Sequence, residues 1–340
     1  MVTETYAAAG VDIDLANQTV ALIKKHVRST FGPQVLGDIG LFGGLFHLQG
    51  YREPVLVASA DGVGTKLKVA ALLGRYHSLG LDIVHHCVND ILTCGAEPLF
   101  FMDYVAMGKL VPETVASLVS GMAEACRGVG CALLGGETAE MPGIYAPGDL
   151  DLVGFIVGAV ERENVIDGRS ILPGDVLLGL PSQGLHTNGY SLARRVFSIT
   201  SQDPVASWDI SYPELSRSLG EVLMEPHRCY YPLLKPVLPC IKGIAHITGG
   251  GLVDNVPRVL PDGLAARFYR GTWPVPAIFG LLQRRGDVTE QEMYRTFNMG
   301  LGMVLFCAEK DREWLQKAVP EAMRVGEVVE RQGGDGVMLR

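Results

Sequence analysis

Long apolar runs, basic tracts and paired cysteines are all missing from this 340-residue sequence. No apolar stretch reaches the roughly 18 residues that a membrane span requires, and the N-terminus lacks the features of a secretory signal. The net charge is −8, and no basic run is interleaved with aromatic residues, which argues against a nucleic-acid partner. The seven cysteines form no C-x-x-C pair, which favours reduced thiols. We therefore expect a cytoplasmic protein with neither a membrane nor a nucleic-acid partner.

Glycine, by contrast, is abundant, with 42 residues, and hydrophobic residues make up 48% of the chain. This length suits two domains of about 100–200 residues each. The turn-rich stretch ENVIDGRSILPGD has no periodic apolar pattern, so we place a boundary there, at residue 168. The prediction is an α+β protein with two α/β domains, one over residues 1–168 and one over residues 169–340.

Helix and strand patterns support this division. In the first half, apolar spacing predicts helices over 15–30, 65–73, 81–95 and 112–130, and strands over 54–60, 99–107, 131–136 and 150–160. In the second half it predicts a strand over 176–182, a helix over 188–197, a proline-interrupted helical region over 213–238, a glycine-rich turn and helix over 247–260, and a helix entering a strand over 292–308. The glycine-rich segment 37–48 is typical of a mobile loop that closes over a ligand.

The stretch ADGVGTKLKVA, residues 60–70, joins a predicted strand to a predicted helix. It matches neither a Walker loop nor a dinucleotide-binding turn. N–H groups at the helix start favour an anion, and Gly62 and Gly64 would let a phosphate approach closely. Asp61 would repel that phosphate unless a divalent cation lay between them, so the pattern indicates metal-bridged phosphates. An ordinary strand-to-helix turn is the equally weighted alternative.

Two further acidic residues are candidates for the same site. Asp90 follows His86 by one helical turn, and the two form either a solvated His–Asp pair or a site in which Asp90 is directed at a metal. Glu137 follows two glycines in GGETAEMPG, which is unusual for a plain hairpin. Two carboxylates at about 4 Å repel by roughly 4 kcal/mol at an effective dielectric constant of about 20. Convergence of Asp61, Asp90 and Glu137 therefore predicts Mg²⁺.

Two turns of the second half also carry polar side chains. His186 and Asn188 lie in QGLHTNGYS, just before a predicted helix, where helix capping by Asn188 is the plain alternative. In HITGGGLVDN, three glycines lead into a helix beside His246 and Thr248. This indicates a second anion-binding turn, with a flexible linker as the alternative.

Eight motifs, in chain order, carry a resemblance to a known family. They are GVDID (10–14), PVLVASADGVGTK (54–66), VNDILTCGAEPLFFMDY (88–104), GGETAEMPG (135–143), HTNGYSL (186–192), HITGGG (246–251), NVPRVLP (255–261) and EMYRTFNMGLGM (292–303). Together they resemble the phosphoribosylformylglycinamidine cyclo-ligases over nearly the whole chain. The sequence departs from their usual pattern at Asp38 and Leu41, which stand where glycines are common, and at Leu185, which stands where proline is common.

The resemblance implies a fold, an assembly and a reaction. It implies a homodimer in which N-terminal strands of both subunits form a shared β-barrel, with a C-terminal α/β sandwich domain and ATP bound near the subunit interface. The implied reaction is ATP-dependent cyclisation of formylglycinamidine ribonucleotide to aminoimidazole ribonucleotide in purine biosynthesis. ATP phosphorylates the formyl oxygen, and the ribosyl-bearing nitrogen then closes the ring as phosphate leaves.

The resemblance also implies roles for the candidate residues. The implied ligands of Mg²⁺ are Asp61, Asp90 and Glu137. The implied ATP-binding residues are Gly62, Gly64, Thr65, Lys66, Gly135, Gly136 and Thr138. The implied catalytic residues are Asp90, Lys66, His186 and His246, the two histidines being candidates for the general base by chemical type alone. The implied substrate-binding residues are Asn188, Thr248, Gly249, Gly250 and Gly251.

Two other function classes share some of these motifs. One is a related ATP-using enzyme, such as a small-molecule kinase or a selenophosphate-synthetase-like protein, although the N-terminus has no reactive cysteine near a glycine-rich start. The other is a non-catalytic subunit that holds a nucleotide structurally, against which the acidic residues Asp61, Asp90 and Glu137 weigh.

Overall fold

The computed structural model describes residues 9–40, 42–199 and 210–340. The N-terminal part contains, in chain order, α1 (Ile13–Arg28), β1 (Pro54–Gly62), α2 (Lys66–Leu73), α3 (His77–Leu92), β2 (Glu97–Met107), α4 (Pro112–Val129), β3 (Ala132–Glu140) and β4 (Leu150–Glu161). The strand order is β1-β4-β2-β3, with β4 antiparallel to both of its neighbours and β2 parallel to β3.

The C-terminal part forms a six-stranded sheet in the order β10-β7-β9-β5-β8-β6. Its elements are β5 (Val176–Pro181), α5 (Tyr190–Val196), α6 (Leu219–Leu223), α7 (Tyr231–Leu234), β6 (Gly243–His246), α8 (Gly251–Asn255), β7 (Leu264–Phe268), α9 (Ala277–Gly286), α10 (Glu290–Thr296), β8 (Leu301–Cys307), α11 (Glu309–Ala318), β9 (Met323–Glu330) and β10 (Val337–Leu339). Every residue of β8 is buried, as expected for an interior strand covered on both faces.

Helices α3 and α4 pack side by side against the N-terminal sheet, and two glycines allow their close contact. A Cβ atom on Gly80 would lie 2.2 Å from the carbonyl oxygen of Leu118, and one on Gly121 would lie 2.0 Å from that of His77. Any larger residue at either position would push the helices apart. The contact holds α3, which carries Asp90, firmly in the core.

The predicted α+β fold with two α/β domains is confirmed. In the region 213–238, which was predicted as helical with interruptions by proline, the chain forms the two short helices α6 and α7. The proposed boundary at residue 168 falls between β4 and β5. All seven cysteines carry free thiols, and none of the described helices is both long and apolar enough to cross a membrane.

A buried ion pair between α2 and α3 of the N-terminal domain lies at the contact with the C-terminal domain. The Lys66 ammonium lies 2.7 Å from Oδ2 of Asp82, and both side chains are 0% exposed. Lys66 also donates to the carbonyl oxygen of Glu225 at 2.8 Å, and the N–H group of His227 donates to Oδ1 of Asp82 at 2.6 Å. Burial lowers the pKa of Lys66 and raises that of Asp82, while the attraction between the two charges opposes both changes.

Helix α3 supplies further hydrogen bonds to the same C-terminal segment. His85 donates from Nδ1 to the carbonyl oxygen of His227 at 2.6 Å. The amide of Asn89 donates to the carbonyl oxygen of Arg228 at 2.7 Å and accepts from the N–H group of Tyr230 at 2.9 Å. We call this set the domain clamp: Lys66, Asp82, His85 and Asn89 with the segment 225–230. It fixes a C-terminal loop against the N-terminal domain.

The clamp yields a stability prediction. Replacing Lys66 with Met leaves the Asp82 carboxylate buried without its partner, and we expect the free energy of unfolding to fall by about 3–5 kcal/mol. The double variant Lys66→Met/Asp82→Asn removes the stranded charge while keeping an acceptor for His227, and it is expected to recover most of that loss. Urea unfolding followed by circular dichroism measures both.

Lys68→Met is the matched control, because Lys68 pairs with Asp149 on the surface, where its side chain is 46% exposed. This variant is expected to lower the free energy of unfolding by less than about 1 kcal/mol. Equal stabilities for Lys66→Met and Lys68→Met would show that the buried pair stabilises the protein no more than a surface pair does.

Candidate active site

Two of the predicted acidic residues meet at the junction of the domains. Asp61 lies at the end of β1, and Asp90 lies on α3. His86 lies between them, with its Nε2 atom 3.1 Å from Oδ2 of Asp61 and 3.8 Å from Oδ2 of Asp90. From the other domain, Nδ1 of His246 lies 2.8 Å from Oδ1 of Asp90. The solvated interpretation of the His86–Asp90 pair is wrong, because the His86 side chain is only 4% exposed and faces the other domain.

A chain of hydrogen bonds connects the two carboxylates. We call it the histidine chain, and its members are His86, Thr187, His227 and His246. The hydroxyl of Thr187 lies 2.8 Å from Nδ1 of His86 and 3.3 Å from Nδ1 of His227. His227 in turn bonds to His246 through their Nε2 atoms at 3.1 Å. The described structure therefore links Asp61 to Asp90 without a break.

Counting hydrogens fixes the charge of this chain. Five hydrogen bonds run from carboxylate to carboxylate. Three neutral imidazoles and one hydroxyl supply only four hydrogens. With both carboxylates ionised, one histidine must therefore be an imidazolium for every bond to form.

The pKa directions assign that charge to His86. Burial opposes protonation of His86, but Asp61 and Asp90 outweigh it and raise the pKa of the ring. Burial lowers the pKa of His246, and burial together with the neighbouring histidines lowers that of His227 well below its usual value. With His86 charged, His246 donates to Asp90 through Nδ1 and accepts from His227 through Nε2. His246 thus orients Asp90, and neither of its nitrogens is free.

The other predicted catalytic histidine lies behind this chain. His186 is 1% exposed, and its ring stacks on His227 with centroids 4.1 Å apart. Its Nε2 atom accepts from the N–H group of Gln183, and its buried Nδ1 atom has no hydrogen-bond partner among the described residues. Burial lowers its pKa well below the usual value, so the ring is neutral. It supports His227 from behind.

The β1–α2 turn places the predicted phosphate-binding residues in two different environments. Gly64 has a φ of +58°, which favours glycine, and the hydroxyl of Thr65 lies 3.0 Å from that of Ser191 in the other domain. Gly62 donates its N–H group to Asp61 at 2.9 Å. The ammonium of Lys66 does not face the turn, because it is buried in the domain clamp. The expectation that Lys66 holds phosphate is corrected accordingly.

Glu137 lies apart from the other two acids within one chain. Across the sheet, Asp61 pairs with Gly154, and Gly154 pairs with Asp103. Asp103 pairs in turn with Gly136, the residue before Glu137. Three strand spacings of about 4.8 Å put Gly136 about 14 Å from Asp61. A single copy of the chain therefore does not bring all three carboxylates together.

Glu137 and its neighbours line a separate cavity of about 440 Å³, here called the β3 cavity. Gly135, Gly136, Glu137 and Thr138 form one wall, and α1 and the glycine-rich loop form others. In that loop, Asp38 pairs with Arg28 of α1, whose Nε atom donates to Oδ1 of Asp38 at 2.8 Å. The loop covers this cavity rather than the Asp61–Asp90 pair, and Leu41 lies outside the described residues.

A second cavity, of about 410 Å³, lies between the domains beside Asp90, and we call it the interdomain cavity. Its polar lining consists of Ser59, Asp90, Thr93, Asp167, His246, Thr248, Asn255 and Arg258. The Ser59 hydroxyl donates to Oδ2 of Asp90 at 2.9 Å. With a volume in the range of small-molecule sites, this cavity is the space that the Asp90 carboxylate faces.

The Thr248–Gly251 turn borders the interdomain cavity. The amide of Asn255 donates to the carbonyl oxygens of Gly249 at 3.1 Å and Gly251 at 2.8 Å. A Cβ atom on Gly251 would lie 2.0 Å from the carbonyl oxygen of Tyr294, so packing alone requires that glycine. The turn is therefore a fixed structure and not a flexible linker.

Asn188 lies close to the same turn. A Cβ atom on Gly249 would lie 3.1 Å from Oδ1 of the Asn188 side chain. Helix α5 begins at Tyr190 without a side-chain cap, so the capping interpretation of Asn188 is wrong. His227, Thr187 and Asn255 are site residues that the sequence analysis missed. Thr187 and Asn255 lie within quoted motifs that gave them no role, and His227 lies in none of the motifs.

Comparisons with known proteins agree with this architecture. The family described as AIR synthase related protein matches through its N-terminal domain at residues 48–160 and its C-terminal domain at residues 173–338. Phosphoribosylformylglycinamidine cyclo-ligase of Geobacillus thermodenitrificans is 52% identical over 338 residues, which cover 97% of each chain. The protein of the same name from Desulfitobacterium hafniense is 54% identical over 325 residues, covering 94% of this chain and 93% of its own.

Solved structures share the fold at low sequence identity. Thiamine-monophosphate kinase from Stenotrophomonas maltophilia superposes with a TM-score of 0.69 at 16% identity and covers 95% of both chains. HypE from E. coli gives a TM-score of 0.64 at 18% identity, covering 95% of this chain and 93% of its own. Motifs, domain matches and full-length identity agree, and the chain belongs to the phosphoribosylformylglycinamidine cyclo-ligase family within the AIR synthase related proteins.

Proposed function

We propose that the interdomain site performs the ATP-dependent cyclisation of formylglycinamidine ribonucleotide to aminoimidazole ribonucleotide. As a member of its family the chain is an ATP-dependent ligase of purine biosynthesis, and we expect it in the cytoplasm. The observation that carries the assignment to this site is the meeting of Asp61 and Asp90 beside a cavity between the domains.

The formyl oxygen of the substrate is a poor leaving group, and phosphorylation converts it into a good one. The formyl oxygen takes the terminal phosphoryl group of ATP, and ADP is released. The ribosyl-bearing nitrogen then forms a bond to the formyl carbon, the carbon–oxygen bond breaks, and inorganic phosphate leaves as the nitrogen loses its proton. The protein positions the reacting groups and neutralises the charge of the transferred phosphoryl group. The hydrogen bonds of the histidine chain hold Asp61 and Asp90 in fixed orientations for that purpose.

The Asp61–Asp90 pair is suited to Mg²⁺. Histidine N–H groups donate to one oxygen of each carboxylate, while the Asp61 and Asp90 side chains remain 44% and 26% exposed. Accessible carboxylate oxygens are the ligands that Mg²⁺ prefers, and the histidine nitrogens near them already serve as hydrogen-bond partners. When bound, the ion would neutralise phosphate charge beside the two acids. This removes the repulsion between Asp61 and an incoming phosphate.

A homodimer would explain the separate position of Glu137. The face of the N-terminal sheet turned away from α3 and α4 exposes apolar side chains, with Leu56 61% exposed, Phe155 43% and Met102 36%. Covering this face with a second copy would bury it, as in the shared barrel of the family. We propose that Glu137, with Gly135, Gly136 and Thr138 of the same segment, completes the ATP site of the other subunit.

Product analysis tests the activity itself. The purified protein with formylglycinamidine ribonucleotide, ATP and Mg²⁺ is expected to form ADP and the aminoimidazole product in equal amounts. ADP without the aminoimidazole would indicate a kinase, and the absence of both would indicate a nucleotide-binding subunit.

Mixing two inactive variants tests the shared site. Asp90→Asn and Glu137→Gln are each expected to abolish ATP turnover without unfolding the protein, because each removes a proposed ligand of Mg²⁺. If one site draws on both subunits, heterodimers regain one intact site. Random reassociation then restores about a quarter of the wild-type activity.

The matched control mixes Asp90→Asn with Asp61→Asn. Both residues belong to the same chain's part of the site, so that heterodimer has no intact site and stays inactive. Failure of the first mixture to recover activity, with dimers re-formed, would place Glu137 outside the shared site. Wild-type activity in Asp90→Asn alone would remove Asp90 from it.

His227 provides a separate prediction about positioning. His227→Phe keeps the ring stacked on His186 but leaves Thr187 and His246 without their partner, so that His246 no longer fixes Asp90. We expect kcat to fall about tenfold, equivalent to one lost hydrogen bond, with little change in the KM for ATP. His77→Phe, at a surface histidine whose side chain is 44% exposed, is the control. Unchanged kcat in His227→Phe would show that the histidine chain does not position Asp90.

A further inference from the structure

We infer that Arg258 anchors the 5′-phosphate of the ribonucleotide substrate in the interdomain cavity. The inference rests on the proposed function, which requires a phosphoribosyl substrate in this space. No motif argument and no comparison assigns Arg258 a role. The inference rests on three features of Arg258: its position at the cavity wall, the absence of a partner among the described residues, and the contacts that hold its backbone.

Arg258 is the one lysine or arginine that lines the interdomain cavity in the part of the chain that the structure describes. Within residues 9–40, 42–199 and 210–340, its guanidinium forms no ion pair and no hydrogen bond. Two arginines of the linker between β4 and β5 already form ion pairs. Arg162 pairs with Glu53 at 2.8 Å, and Arg169 pairs with Asp167 at 3.3 Å. Arg258 is thus a cation at a cavity wall with its donors still available.

The backbone holds Arg258 in place. Arg258 follows Asn255 by three residues across consecutive helical turns, so the two side chains lie on the same side, and both line the cavity. Asn255 fixes the Thr248–Gly251 turn by its amide hydrogen bonds. The next residue, Val259, packs against the linker so closely that a Cβ atom on Gly168 would lie 2.0 Å from its carbonyl oxygen. A fixed backbone on both sides limits where the guanidinium can reach.

The charges of the cavity match the two ends of the substrate. Asp90, with His246 beside it, would repel a phosphate in the absence of a cation, so the ribose phosphate belongs elsewhere in the cavity. Asp167, the other acid on the wall, accepts from the backbone N–H group of Arg169 as well as pairing with its guanidinium, which offsets its charge. A planar guanidinium binds two phosphate oxygens at once. Arg258 at one part of the wall and Asp90 at another would align the formyl group with the phosphoryl donor.

A substrate lacking the phosphate tests the assignment. The kcat/KM of wild type, Arg258→Met and Arg258→Lys is measured with formylglycinamidine ribonucleotide and with its dephosphorylated ribonucleoside. Arg258→Met is expected to lose about 10- to 100-fold with the ribonucleotide, through KM, and nothing with the ribonucleoside. Arg258→Lys is expected to recover part of the loss, and the KM for ATP is expected to stay constant. Arg162→Met, which removes an exposed arginine that pairs with Glu53 away from the cavity wall, is the control.

Each other outcome overturns the inference. Equal losses with both substrates would mean that Arg258 acts on the fold, and no loss would place the phosphate elsewhere. A raised KM for ATP instead would assign Arg258 to the nucleotide. Calorimetric titration with ribose 5-phosphate separates this test from the proposed function. If wild type did not cyclise its substrate, binding of ribose 5-phosphate to wild type and not to Arg258→Met would still support the anchor, and equal binding to both would refute it.

Discussion

The buried ion pair between Lys66 and Asp82 is the interaction on which the site depends. Both side chains belong to the N-terminal domain and are fully removed from water at the contact between the domains. Their further hydrogen bonds, to the carbonyl oxygen of Glu225 and from the N–H group of His227, form only when the domains dock in one arrangement. Asp61 and Asp90 come from the N-terminal domain, whereas Thr187, His227 and His246 come from the C-terminal domain. The hydrogen-bonded chain between the carboxylates therefore exists only in the docked arrangement, which the hydrogen bonds of Lys66 and Asp82 to the segment 225–230 favour.

The segment 225–230 takes part both in the docking of the domains and in the orientation of the carboxylates. Residue His227 uses its backbone in the domain clamp and its side chain in the histidine chain. Docking of the domains and orientation of the carboxylates are thus coupled through one residue. Such rigidity suits phosphoryl transfer, in which the protein contributes geometry and charge and forms no covalent intermediate. The interdomain cavity also separates charges, with the acids Asp90 and Asp167 on its wall and Arg258 as a cation that pairs with none of the residues that the structure describes.

The sequence predicted the fold class and the meeting of Asp61 with Asp90, and it named His246 as a candidate site residue, because short motifs carry these residues at the ends of periodic elements. It did not predict the role of Lys66, since a lysine after a glycine-rich turn is compatible with phosphate binding and with burial alike. The position of Glu137 depends on the strand order β1-β4-β2-β3, which local patterns do not encode. His227 had no motif around it, and only the tertiary contact of its loop with α3 reveals its function.

The central claim is that Asp61 and Asp90 together hold the divalent cation of the phosphoryl-transfer site. A crystal structure with Mn²⁺ replacing Mg²⁺, a non-hydrolysable ATP analogue and the anomalous signal of the metal tests it directly. The account predicts an anomalous peak bound by carboxylate oxygens of both residues and by the terminal phosphate of the analogue. A metal peak on the nucleotide with Asp61 and Asp90 remote from it would contradict the account.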